Sequence, residues 1–371
     1  MRKILKFTDF KVREWRARDG FKLARVLFFL LIICLPQVTS LLGWSPAVKQ
    51  NEKRKLASFP SLSWNLDSWR SFSRRYESFF LDRFNMRPWL IRVNSRLKFF
   101  VLGVSPLKEI TIGKDGWLFF SSASDGDPLK AYRGMTLFSD DELSAMFQSL
   151  EAWKAWFEER GIVFFILIAP DKHSVYPERL PGWARRVGPR TRTEQFIASA
   201  PPDIARIIVY PREALRKAKQ TSPTYFTTDT HWTEWGAFVG AQALMDRIAD
   251  AMPGLEPYRG DYELRPEYRA GGDMVTMLGL SGLLDDGDIK VISTDSASVN
   301  PADKRARTVV YGDSFSYGML PFLEKNLNLV KHVHSAVMEK DVILREKPDI
   351  VILEVVGRYL YKLGANSPKV E

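Results

Sequence analysis

The stretch Val309-Val310-Tyr311-Gly312-Asp313-Ser314-Phe315-Ser316-Tyr317-Gly318 decides the fold. Two β-branched residues and an aromatic one run into a glycine, Ser314 follows, and residues 319–326 can continue as helix. Strand, tight turn and helix start together expose a serine hydroxyl at the end of a parallel sheet. Backbone N–H groups at such a helix start face any oxyanion formed beside the serine, so Ser314 is read as nucleophile and as oxyanion donor. Alone, Gly-Asp-Ser is a common tripeptide. Upstream, Asp229-Thr230-His231-Trp232 supplies a carboxylate and an imidazole two residues apart, on one face of an extended segment. A neutral His231 suits the base near pH 7, and Asp229 would orient it and stabilise its charged form. Taken singly, each has a structural alternative: loop histidine, turn or cap aspartate, helix N-cap serine. Jointly they supply all the parts of a serine nucleophile system.

Working outward, the α/β core begins at Ser139. Ser139-Asp140-Asp141-Glu142 has the capping-box pattern, and Leu143, Phe147, Leu150, Trp153, Trp156 and Phe157 follow at helical spacing. Residues 162–169 form a continuous apolar run, as expected of a strand covered on both faces. A strand over 207–210 with a helix over 212–219 comes next, then a helix over 234–252 directly after the Asp-Thr-His-Trp stretch. Residues 254–301 read as loop-rich. The strand over 308–311 delivers Ser314, and a helix over 341–347 with a strand over 349–354 closes the chain. This alternation implies an α/β, three-layer domain with a mostly parallel sheet.

The 371 residues, 45% of them hydrophobic, suffice for one large core with appendages. The formal net charge is +10. Residues 1–25 hold nine Lys/Arg against Asp9, Glu14 and Asp19, giving +6 and leaving only +4 for the rest. That is too little to argue for nucleic acid, though a mildly basic groove for an acidic polymer fits. Residues 26–44 contain no charge and match the apolar core of a bilayer in length. Pro36, Gln37, Thr39 and Ser40 weaken its second half, and a cleaved signal peptide is the competing reading. The expected organisation is a basic cytoplasmic leader (1–25), a transmembrane anchor (26–44), a linker (45–65) and a catalytic domain (66–371) outside the membrane. Within the last, residues 66–84 place Trp69, Phe72, Tyr76, Phe79 and Phe80 at helical intervals. The only cysteine, Cys34, lies in the apolar span, so no intrachain disulfide forms.

His173 follows a strand end and reads as a second acid/base group or a rim residue. His332 and His334 alternate; a metal pair is one reading, a solvated strand edge the other, and no metal site is assigned. Gly271-Gly272-Asp273 offers the Gly272 N–H as a second oxyanion donor or makes an ordinary turn. Trp232, Trp235 and Tyr317 border the proposed site, either as sugar-facing rings or as core. No P-loop or dinucleotide fingerprint is present, so no cofactor is expected.

At Gly312-Asp313-Ser314-Phe315 and Asp229-Thr230-His231-Trp232 the chain resembles the SGNH-hydrolase-like polysaccharide O-acetyltransferases of the alginate acetylation type (AlgJ/AlgX-like). The resemblance extends over most of residues 51–361. It includes Gly113-Lys114-Asp115-Gly116-Trp117-Leu118-Phe119, Ala169-Pro170-Asp171-Lys172, Tyr176-Pro177-Glu178 and Pro348-Asp349-Ile350-Val351. It implies Ser314 as nucleophile, His231 as base and Asp229 as orienting acid. Trp232, Lys172 and Tyr317 are expected to bind substrate. It further implies a periplasmic catalytic domain, which with the expected anchor over 26–44 gives a single-pass inner-membrane protein, and no CoA-binding feature is seen. An integral membrane O-acyltransferase would relay the acetyl group, beside other polysaccharide export proteins. Gly357 departs from the family pattern, which has glutamate there and a structural salt bridge. The chain ends soon after the core, which favours the AlgJ type over the AlgX type with its extra carbohydrate-binding domain. The expected activity is O-acetylation of an exopolysaccharide. An acetylesterase of the same chemistry, or a non-catalytic polysaccharide-binding scaffold, are the alternatives.

Overall fold

The computed structural model describes residues 20–32, 34–35, 57–61, 65–83, 86–255, 257, 260–294 and 306–365. Residues 20–32 and 34–35 are helical and exposed. Residues 36–44 of the expected anchor, and most of the expected leader and linker, lie outside the described residues. Among the described residues no helix is long and apolar enough to cross a membrane, so the expected transmembrane helix finds no support there.

The chain divides into two compact units between Leu97 and Lys98. The first contains α1 (Leu66–Arg83) and α2 (Arg87–Arg96), the latter opened by a proline in its first turn. Along α1 the helical spacing of aromatics is realised: Tyr76 stacks on Phe72 at 5.9 Å and on Phe80 at 6.5 Å between ring centroids.

Among the described residues the second unit holds nine strands: β1 (Ile110–Ile112), β2 (Leu118–Phe120), β3 (Val163–Ala169), β4 (Ile208–Val209), β5 (Tyr262–Ala270), β6 (Asp285–Ser293), β7 (Arg307–Tyr311), β8 (Asn328–Val333) and β9 (Ile350–Val356). Five of them form one sheet in the order β4-β3-β9-β7-β8, and every neighbouring pair is parallel. Its helices include α3 (Asp140–Glu158), α4 (Arg212–Ala218), α5 (Glu234–Ala251), α6 (Ser316–Leu323) and α7 (Lys340–Glu346). The capping box at Ser139 forms as the sequence predicts: Ser139 Oγ accepts from Glu142 N at 3.2 Å, and Glu142 Oε2 accepts from Ser139 N at 2.8 Å.

The pleat of the two central strands sorts the core into two layers. Phe164, Ile166 and Ile168 of β3, with Val351, Leu353 and Val355 of β9, pack with Leu150, Trp153 and Phe157 of α3 and Ile343 of α7. The alternate residues Phe165, Leu167, Ala169, Ile350, Ile352 and Val356 pack with Ala241, Leu244 and Ile248 of α5 and Met319 and Leu323 of α6. This is the three-layer arrangement with a mostly parallel sheet that the alternating elements imply.

One part of the reading needs correction. The stretch taken as loop-rich contains β5 and β6, a two-stranded antiparallel hairpin paired from Tyr262↔Ser293 to Ala270↔Asp285. β5 is charged and largely exposed, and β6 opens on Asp-Asp-Gly-Asp and is half-buried, so neither shows the apolar alternation over its whole length by which strands are recognised. Pro266 inside β5 removes a further signal.

Leu353 is wholly buried at the middle of the central strand. Leu353→Ala should cost about 2–5 kcal/mol, read as a lower urea midpoint at unchanged slope.

Candidate active site

Ser314 lies in the turn between β7 and α6, at the carboxyl edge of the sheet. The turn is fastened by its own aspartate. Asp313 Oδ1 accepts from Phe315 N at 2.9 Å, and Oδ2 accepts from Val356 N at 2.8 Å, tying the turn to β9. Glu354, wholly buried on β9, completes the fastening: its Oε2 accepts from Asp313 N at 3.0 Å. Burial, followed by the charge of Asp313, pushes the Glu354 carboxyl well above the usual carboxylate range, so it stays protonated. The Ser314 N–H has no acceptor among the described residues, which leaves it available to an oxyanion.

The other half arrives from residues 227–232, bridged back on themselves by the Tyr225–Trp232 pair. Ser314 Oγ lies 2.7 Å from His231 Nε2, and His231 Nδ1 lies 2.7 Å from Asp229 Oδ1. With the Nδ1 proton directed at Asp229, Nε2 is the acceptor of the serine proton. Burial alone would raise the Asp229 carboxyl. The hydrogen bond from His231, its charge and the Arg269 guanidinium outweigh burial and hold the group well below the usual carboxylate range. Asp229 Oδ2 accepts from Arg269 Nη2 at 3.0 Å. The three residues singled out as nucleophile, base and acid thus form one hydrogen-bonded chain.

The remaining expected site residues divide. Tyr317 is 52% exposed on α6, its ring stacked on His334 at 5.3 Å and edge-on to His332 at 4.9 Å. It can still face a ligand. Trp232 cannot: it is buried against Phe315, and its indole N–H donates to the Phe315 carbonyl at 3.2 Å. Lys172 is 4% exposed, and its ammonium donates to the carbonyls of Leu118 (2.7 Å), Thr227 (2.8 Å) and Asp229 (3.1 Å). It braces the loop from beneath and has no donor left for substrate. Burial pulls it down to about 7, against the opposing charges of Asp286, Asp229 and Asp273. Gly272 is not an oxyanion donor, because its N–H donates to Thr228 Oγ1 at 2.9 Å. Glycine is required there for contact: a Cβ would stand 2.4 Å from Asp229 Cβ.

His173 is no acid/base group. It is buried between Phe119 and Tyr132, and burial, then the charges of Lys172 and Arg358, pull it down to about 3. His332 sits on edge strand β8, its Nε2 2.9 Å from Ser316 Oγ. The Ser316 hydroxyl donates to the Asp313 carbonyl at 2.6 Å, so His332 is the donor and Ser316 is not activated. At Gly357, a Cβ would stand 2.7 Å from Asp171 Oδ2. A glutamate has no room there, and the buried Arg358–Asp171 pair at 3.5 Å occupies the position instead.

Arg269, Asp273, Asp286 and Glu354 were not legible as site residues. The available signal for Glu354 was a single acid inside Ile350-Val351-Ile352-Leu353-Glu354-Val355-Val356, which fits no ordinary buried strand. Asp229, His231 and Asp273 each present a ligand-type atom within 4.8 Å of the others, a spacing that suits a cation. Asp273 Oδ2, however, accepts from Thr230 Oγ1, and Asp229 is held by His231 and Arg269, so a cation would displace bonds already made.

A serine at a strand–turn–helix, with imidazole and carboxylate in line, defines a domain built for acyl chemistry. The family described as SGNH hydrolase-like domain, acetyltransferase AlgX, matches residues 110–338, more than half of the chain, and the chain belongs to this family. It is similar to the probable alginate O-acetylase AlgJ of Pseudomonas aeruginosa, 26% identical over 223 residues, which is 55% of this chain and 52% of that protein. The corresponding protein of Pseudomonas syringae pv. tomato is 25% identical over 299 residues, 70% of this chain and 72% of the relative. The chain spans about half the length of the first relative. Among solved structures, the O-acetyltransferase domain of Pseudomonas putida AlgJ aligns with a TM-score of 0.48 and 18% identity, over 68% of this chain and 92% of that one.

Two substitutions separate bracing from binding. Lys172→Met should destabilise the fold by about 3 kcal/mol, because three buried carbonyls lose their donor. A lysine that bound substrate would raise KM and leave the melting temperature alone. Glu354→Gln should keep the folded structure, since the amide mimics the protonated acid. A carboxyl raised on folding gives stability that is full below its unfolded pKa and lost as pH rises. Stability of the wild type should therefore fall with pH above about 4.5 more steeply than that of Glu354→Gln, as read from thermal melts.

Proposed function

We propose that this chain is a membrane-anchored O-acetyltransferase that acetylates an exopolysaccharide outside the cytoplasm through an acetyl-Ser314 intermediate. The observation that carries it is the hydrogen-bonded chain Ser314–His231–Asp229. Family membership and the activity for which the AlgJ relatives are named, probable alginate O-acetylase, support acetyl as the group and an alginate-like polymer as the acceptor. The uncharged run 26–44 behind a basic leader supports an anchor with the catalytic domain on the far side.

The chemistry follows from the geometry. Ser314 Oγ attacks the carbonyl carbon of an acetyl donor while His231 Nε2 takes its proton. The oxyanion that develops faces the Ser314 N–H, and Asp229 balances the imidazolium. The carbonyl re-forms, the leaving group departs with the proton from His231, and acetyl-Ser314 remains. A sugar hydroxyl then gives its proton to His231 and attacks the ester, releasing Ser314 and the O-acetyl sugar. No acetyl-CoA reaches this compartment, so an integral membrane O-acyltransferase supplies the acetyl group, alongside other polysaccharide export proteins.

In cells, stably expressed Ser314→Ala protein should leave the polymer exported but without O-acetyl groups, as should His231→Ala. Loss of a triad member costs on the order of 10⁴-fold in rate. Wild-type acetylation by Ser314→Ala would remove the catalytic reading. Reporter fusions after Gly20 and Lys55 should be active inside and outside respectively. The reverse pattern would remove the anchored, external placement.

A further inference from the structure

The β5–β6 hairpin has one mostly exposed strand, β5, and one half-buried strand, β6, and a two-stranded ribbon is marginal by itself. What it and the turn following β5 do is hold residues 227–230, one after another. Asp286 accepts from Thr227 N at 2.9 Å and, through its other oxygen, from Thr228 N and Thr228 Oγ1, both at 2.7 Å. Arg269, paired in register with Asp286, donates to Asp229 Oδ2 at 3.0 Å. Asp273 accepts from Thr230 N at 3.0 Å and Thr230 Oγ1 at 2.7 Å. Gly272 closes the set, its N–H on Thr228 and its Cα packed against Asp229. Four successive loop residues are gripped by one insertion, and the third of them is the acid that orients the base.

The grip on Asp229 is divided between its two oxygens. Oδ1 takes His231 Nδ1 and the His231 N–H, the latter at 3.1 Å, while Oδ2 takes Arg269 at 3.0 Å and, at the longer distance of 3.4 Å, the Asp273 N–H. A carboxylate held at one oxygen only can swing about its χ2, and the imidazole swings with it. Held at both, it keeps His231 Nε2 on Ser314. Arg269 is itself held in place by a ring, its guanidinium lying 4.0 Å over Phe226. We infer that the hairpin is a positioning element for the catalytic acid and that Arg269 is the positioning residue through which it acts. This rests on the proposed acetyl-transfer function.

The test is single-turnover acetylation of the full chain by an activated acetyl ester, followed by mass spectrometry, for wild type, Arg269→Lys and Arg269→Met. Melting temperature is read in parallel, and Ser314→Ala is the blank. Misplacing a catalytic group by about an ångström costs on the order of 10²-fold. Arg269→Met should slow acetylation by that factor with the ester's half-saturation unchanged. Arg269→Lys should recover part of the rate, and added methylguanidinium should restore part of it to Arg269→Met. Wild-type rates in Arg269→Met, or a loss that follows the melting temperature and is not rescued by methylguanidinium or lysine, would overturn the inference. Failure of the wild type itself to acquire acetyl on Ser314 would instead remove the underlying function, so the two failures are distinct.

Discussion

Everything at the site depends on one hydrogen bond, 2.7 Å from Ser314 Oγ to His231 Nε2, between residues 83 apart in sequence. Closing so long a loop costs conformational entropy, and the bond alone contributes about 1 kcal/mol net, so it cannot hold the two stretches together. Burial does that. On the serine side, β7 is packed between β9 and β8, and Asp313 and Glu354 lock the turn that leaves it. On the histidine side, Lys172 binds the loop carbonyls while the β5–β6 insertion takes its N–H groups. The serine and histidine meet because each is fixed before they touch, which is the preorganisation that acyl transfer requires.

Both halves of the site use buried ionisable groups, in opposite charge states. Glu354 is wholly buried beside the acid Asp313, and the charge of Arg358 does not offset these, so it keeps its proton and serves as a neutral prop. Asp229 is equally enclosed, yet the imidazole and guanidinium against it keep it ionised. Burial raises both groups, and only at Asp229 do the neighbouring charges and hydrogen bonds outweigh it. In the proposed acyl transfer, the charge on Asp229 would stabilise the imidazolium that forms.

The legibility of the chain in its sequence follows the same division. Buried parallel strands announce themselves by apolar runs, so β3, β7 and β9 were readable, as was the capped start of α3. The triad was readable because two short motifs carry all three residue types. The hairpin was not, since a charged, exposed β5 and a β6 that opens on Asp-Asp-Gly-Asp show no sustained apolar period. Lys172 and Trp232 were misread for a different reason: a residue type that suits sugar binding says nothing of which way its side chain points. Lys172 points down into carbonyls and Trp232 into the core. Tertiary contact decides such cases, and Arg269, Asp273 and Asp286 acquire meaning only once the hairpin folds back over residues 227–230.

The central claim is that Ser314 carries the acetyl group and a sugar hydroxyl receives it. The most direct measurement is mass spectrometry of the purified chain mixed with an activated acetyl ester, then chased with a polyuronate oligosaccharide or with buffer alone. One acetyl group should map to the Ser314 peptide, persist in buffer and be discharged onto the oligosaccharide. Acetyl on another residue, or discharge to water at the same rate with and without the oligosaccharide, would contradict it.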